Sequence, residues 1–214
     1  MENNYFYCER NNLEFLSEPF NFFTNFSFLL ISVILYYDKR ITDKNYSYII
    51  FLIGISSSFF HSIQNHITAL LDVSFIVVFI LYYLNNLYKS FNINAYISFI
   101  LSILFILFCS FFGYLFNTSI LSSSAYYFPI LLHLYFLSLF FYIKKKIYIQ
   151  YKMFIGISIL FTLSLFLRTI DLRICSYSII GTHYLWHILN AIILYLLIKY
   201  IHLIINRPSP KKPT

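Results

Sequence analysis

Five polar residues stand out because their types and spacing match one chemistry. His183 and His187 are four residues apart, and so are Ser57 and His61. Residues at i and i+4 share one helix face. Asp72 follows His61 by eleven residues. Three histidines with an open fourth position make a catalytic zinc site, in which neutral imidazoles bind the ion. Zinc lowers the pKa of water in that position toward 7. A carboxylate such as Asp72 can take the proton and pass it to a leaving group. A hydroxyl such as Ser57 can donate to a developing oxyanion. Each residue alone also has a structural reading. A His-x-x-x-His pair is a weak signal, membrane-helix serines bond backbone or neighbouring helices, and a buried Asp can serve helix packing with a partner.

The elements that must carry these residues follow from composition. The chain has 214 residues, room for about one domain. Hydrophobic residues make up 60%, aromatics 22% and charged residues 11%. A soluble domain carries about 25% charged residues, so this chain lacks the polar surface to coat a soluble particle. Disordered chains are poor in aromatics and β-branched residues, which excludes disorder. A soluble nucleic-acid binder is excluded as well, despite the net charge of +7. The Tyr count reads as background from a Phe-, Ile-, Asn- and Lys-rich composition.

A membrane-spanning helix needs roughly 20 apolar residues. Seven stretches meet or approach this: 20–37, 46–63, 69–85, 93–114, 125–143, 152–169 and 181–203. Runs such as Ile97–Phe112 are apolar throughout, unlike the alternating strands of a membrane β-barrel. The expectation is an all-α, seven-transmembrane-helix bundle forming a single domain over 1–206, with a basic Pro-rich tail over 207–214. Eleven Lys and Arg fall in the 38–45, 86–92 and 144–152 loops and the tail; Arg10, Arg168 and Arg173 lie on the other side. The positive-inside rule then places the N-terminus outside and the C-terminus in the cytoplasm. Residues 1–19 carry four Glu and no basic cluster, so the first apolar stretch is expected to remain as an anchor rather than be removed.

This topology puts Ser57, His61, Asp72, His183 and His187 within about 10 Å of the outer membrane boundary. Glu18 and Asn21 sit at the same boundary. That common depth favours a metal site over five independent packing residues. His133 falls mid-span and reads as a packing residue. His66, placed in an outer loop, and His202, near the inner end, read as incidental. Cys8, Cys109 and Cys175 lack the paired close spacings of a zinc knuckle.

Four segments together resemble the alkaline ceramidase family, within the CREST superfamily of seven-span metal-dependent hydrolases. They are Cys8-Glu9-Arg10-Asn11 with Glu18-Pro19-Phe20-Asn21 and Asn25; Ser57-Ser58-Phe59-Phe60-His61; Leu70-Leu71-Asp72; and Asp171 and Cys175 leading to Gly181-Thr182-His183-Tyr184-Leu185-Trp186-His187. The resemblance implies zinc ligands at His61, His183 and His187, a proton-transferring Asp72 and an oxyanion-stabilising Ser57. It implies hydrolysis of the amide of ceramide, or a related N-acyl lipid, to a sphingoid base and a fatty acid. It also implies a calcium site, of which Glu9, Asn11 and Glu18 match part, and a disulfide between Cys8 and Cys175. The chain departs from the family pattern at Phe6, where an acid is expected. The Glu9–Glu18 spacing is about two residues short, and Val73-Ser74-Phe75 follow Asp72. For Glu9 and Glu18 the alternative is helix capping, since acids favour helix N-termini. Two other functions stay open: an ester lipid hydrolase or lipid-remodelling enzyme of the same superfamily, and a seven-span receptor-like binding protein. The expected partners are the bilayer and the N-acyl lipid, with no nucleic acid.

Overall fold

In the computed structural model, residues 7–12, 14–117, 121–143 and 148–205 are described. The basic tail and Lys144, Lys145 and Lys146 lie outside them. Among the described residues the chain is all helical, with no strand: α1 (Pro19–Thr24), α2 (Phe26–Tyr37), α3 (Asn45–Ser62), α4 (His66–Ser90), α5 (Ala95–Phe116), α6 (Phe128–Ile143), α7 (Tyr148–Ile170) and α8 (His183–Ile205). Short 3₁₀ turns, Ser122–Tyr127 and Asp171–Arg173, lead into α6 and follow α7. Six segments are long and apolar enough to cross a membrane; the first is α1 and α2 taken together. The chain thus has the helices of a multi-pass membrane protein.

The first apolar stretch is divided at Asn25. Its backbone amide donates to the Phe22 carbonyl at 3.2 Å and its Nδ2 to the Asn21 carbonyl at 2.9 Å. A tight turn therefore replaces a regular helical one. The α3 helix is not among the six spans, because Asn45, Ser56, Ser57, Ser58, His61 and Ser62 lower its hydropathy. The three serines, His61 and Ser62 are buried, and α3 packs against α1, α2 and α4. These five polar groups therefore face protein, while Asn45 at the start of the helix is exposed.

The α4 helix starts earlier than expected. The Asn65 side chain accepts from the Thr68 amide at 2.9 Å, and Thr68 Oγ1 accepts from the Asn65 amide at 3.1 Å. This reciprocal cap satisfies two helix-end donors. His66 is consequently the first helical residue, not a loop residue, and Asp72 lies in the second turn.

The core is built from residues such as Leu35, Ile50, Leu87, Phe154 and Ile198, each fully buried. The α8 helix packs against α1, α2, α4 and α7 and closes the bundle. Leu30, Leu104, Phe136 and Ile159 are exposed. Exposed apolar surface on this scale suits lipid contact. His202, read as incidental, is buried: Nδ1 meets the Ile198 carbonyl at 3.2 Å and the ring packs edge-on to Tyr46.

Candidate metal centre

The end of α3, the second turn of α4 and the start of α8 meet at one end of the bundle. Their chemistry-bearing residues arrive there from three elements far apart in sequence. One ligand atom from each of His61, His183 and His187 lies within 4.8 Å of the others, and all three residues are buried. Among the described residues this is the one such group of His, Cys, Asp and Glu.

Local contacts orient the three rings. His61 Nδ1 lies 2.5 Å from Glu18 Oε2. Glu18 is itself fully buried, bonds the Arg10 guanidinium through Oε1 and accepts from Asn21 Nδ2 at 3.1 Å. Burial opposes ionisation of Glu18, but His61 and Arg10 together outweigh it and hold the carboxyl below its usual range. An ionised Glu18 accepts a hydrogen bond from the Nδ1–H of His61 and leaves Nε2 for a ligand. For His187, Nδ1 lies 3.1 Å from Thr24 Oγ1, whose proton goes to the Phe20 carbonyl at 2.7 Å. The Thr24 oxygen therefore accepts from His187 Nδ1, again leaving Nε2. Among the described residues, His183 Nδ1 is buried without a hydrogen-bond partner. Two imidazoles with committed Nδ1 protons beside an orphaned third nitrogen form a donor set that a zinc ion completes. The residues present fit that metal.

Asp171 fixes the start of α8. Its Oδ1 accepts from the amides of Thr182, at 2.6 Å, and His183, at 2.9 Å, while Oδ2 accepts from the Cys8 amide at 3.1 Å. One carboxylate thus caps α8 and holds the N-terminal segment. Cys8 and Cys175 are joined by a disulfide with Cα atoms 5.1 Å apart. Gly181 sits beside this junction at φ +69°, and a Cβ there would run into Asp171 Oδ1 and Cys8.

Ser57, Asp72, His183 and His187 line one cavity of about 160 Å³, together with Tyr7 and Arg168. Ser57 interacts with Asp72, and Asp72 Oδ1 is buried with no hydrogen-bond partner among the described residues. Tyr7 stacks on His183 with ring centroids 3.8 Å apart. Burial pushes the Tyr7 phenol up to about 12, so it stays protonated at neutral pH. Two apolar pockets adjoin this chamber. One, of about 100 Å³, runs toward Phe79, His133 and Leu194 and shares Phe28, Ile53 and Trp186 with the chamber. The other, of about 270 Å³, lies between α4, α5 and the Tyr126–Ile130 segment and shares Val73, Ile76, Tyr127 and Arg168.

No protein-family model matches the chain, and no curated protein matches it. The reading of this centre therefore stands on the residues themselves.

The calcium expectation does not fit these contacts. Glu9 receives the Phe20 and Asn21 amides at 2.5 and 2.9 Å, capping α1. Glu18 is turned inward to Arg10, His61 and Asn21, and Asn11 is exposed. Both carboxylates are committed, and the Arg10 guanidinium stands where a second cation would be repelled. His133 lines the apolar pocket of about 100 Å³, with ring contacts to Phe105 and Tyr88.

Three participants were not singled out from the sequence: Tyr7, Thr24 and Arg168. Arg168 carried a signal, since it is a charge at the end of the apolar stretch 152–169, three residues before Asp171. Tyr7 is one of 21 tyrosines and Thr24 lies in an ordinary helix entrance, so neither had a distinguishing signal.

Proposed function

We propose that this chain is a zinc-dependent lipid amidase of the membrane, hydrolysing the amide of ceramide or a related N-acyl lipid to an amine and a fatty acid. The observation that carries the reading is the convergence of His61, His183 and His187 beside a chamber that is lined by His183, His187, Asp72 and Ser57 and adjoins two apolar pockets. His61, His183 and His187 would hold the zinc. Bound there, the ion supplies Lewis acidity toward an acyl carbonyl and makes water a nucleophile at neutral pH. Asp72 Oδ1 accepts the proton of the attacking water and returns it to the departing amine. Ser57 donates its hydroxyl to the oxygen that gains charge as the carbonyl carbon becomes tetrahedral. The apolar pockets take the hydrocarbon chains, so the polar link lies beside the histidines while the chains stay out of water. Glu18 and Thr24 hold the His61 and His187 rings in the required tautomers.

In the same reading the chain crosses the membrane seven times, with α3 as the most polar span. The N-terminal side and the metal centre face outward, and the C-terminus is cytoplasmic. The test is product identification. Purified protein is given N-acyl sphingoid and O-acyl lipids of equal chain length, and the products are read by mass spectrometry. Release of free sphingoid base supports the amidase; turnover of the esters alone replaces it with an ester hydrolase.

A further inference from the structure

The three histidine rings are not held in the same way. Among the described residues, Glu18 and Thr24 meet Nδ1 of His61 and of His187, whereas Nδ1 of His183 has no hydrogen-bond partner. Asp171 fixes the His183 backbone through its amide. The torsion that turns a histidine ring is broad, however, and selects no single plane. The rings of His61 and His187 do not lie flat on His183; one is tilted and one edge-on, with centroids 5.4 and 4.7 Å away. Tyr7 does lie flat on it. The two centroids are 3.8 Å apart and the planes differ by 21°.

Tyr7 is itself fixed. Phe60 meets its ring edge-on at 6.4 Å, and the Arg10 amide donates to its carbonyl at 3.1 Å. The next residue, Cys8, is bonded to Cys175 and donates its amide to Asp171 Oδ2 at 3.1 Å. Asp171 Oδ1 accepts from the His183 amide at 2.9 Å. The two stacked rings are thus placed by the two oxygens of one carboxylate. An aromatic face also favours a partner that gains positive charge, as an imidazole does on ligating a metal. We infer that Tyr7 is a positioning residue of the metal centre, its ring setting the plane of His183 by stacking. This inference rests on the zinc reading of the three histidines and deepens it. The Tyr7 hydroxyl points away from that task and meets Arg168.

The experiment measures metal binding by the full chain in detergent, wild type beside Tyr7→Phe and Tyr7→Leu. Zinc affinity is read by competition against a chelator of known affinity. The visible spectrum of the cobalt-substituted protein reports ligand geometry, which a merely structural role would leave unmoved. Tyr7→Phe keeps the ring and is expected to match wild type in both readings. Tyr7→Leu keeps apolar bulk without a ring face. It is expected to bind zinc about 3- to 10-fold more weakly, the worth of one stacked pair, and to shift the cobalt bands. An intact Cys8–Cys175 disulfide and a cooperative melt of the metal-free protein show that each variant is folded. Wild-type affinity and wild-type cobalt bands in Tyr7→Leu overturn the inference. Zinc binding as weak in Tyr7→Phe as in Tyr7→Leu also overturns it, because the hydroxyl and not the ring would then hold the site. Wild type that binds neither zinc nor cobalt rejects the zinc reading itself, and the inference with it.

Discussion

Glu18 Oε2 lies 2.5 Å from His61 Nδ1, across 43 residues of sequence. A carboxylate behind a ligating histidine fixes its tautomer and raises its basicity, and removing it costs about 10- to 100-fold in metal affinity. Glu18→Gln is therefore expected to bind zinc about 10- to 100-fold more weakly, read by competition against a chelator of known affinity. Unchanged affinity would show that Glu18 serves Arg10 alone.

Asp72 acts on protons rather than on the metal in this account. Asp72→Asn should hold zinc as wild type does and lose turnover by about 10²- to 10⁴-fold, the range of a general acid–base group. Ser57→Ala should also keep its zinc and lose about 10²- to 10³-fold in kcat, as for one oxyanion donor. Metal analysis beside steady-state rates checks both.

The disulfide between Cys8 and Cys175 ties the N-terminal segment to the approach to α8. Loss of such a bond typically costs about 2–5 kcal/mol. Cys8→Ser with Cys175→Ser should lower the thermal midpoint in detergent. Reductant should lower it in wild type and leave the double variant unmoved.

Gly181 occupies a left-handed conformation against the Asp171 carboxylate. Gly181→Ala places a side chain in strained backbone, at about 1–3 kcal/mol, and displaces the cap that starts α8. A lower thermal midpoint and weaker zinc retention are expected together, because His183 is the first residue of that helix.

Much of this arrangement can be read from the chain. The low charge content and the long apolar runs announce membrane helices. The His183/His187 pair and the Ser57/His61 pair fall on common faces because helical spacing requires it. What cannot be read is direction. Glu9 and Glu18 look alike in sequence, yet one turns to the start of α1 and the other to His61 and Arg10, as tertiary packing decides. The division at Asn25 and the early start of α4 depend on side-chain-to-backbone bonds that hydropathy does not register. Arg168 reads in the sequence as a charge at the outer end of an apolar stretch, whereas in the fold it lies over the Tyr127 and Trp186 rings at the chamber wall.

The most direct test of the central claim measures metal content and ceramide hydrolysis on the same purified sample, wild type beside His183→Ala. The account predicts about one zinc per wild-type chain, release of free sphingoid base, and loss of both in the variant. Well-folded wild type that holds no zinc and leaves ceramide intact would contradict it and return the three histidines to a packing role.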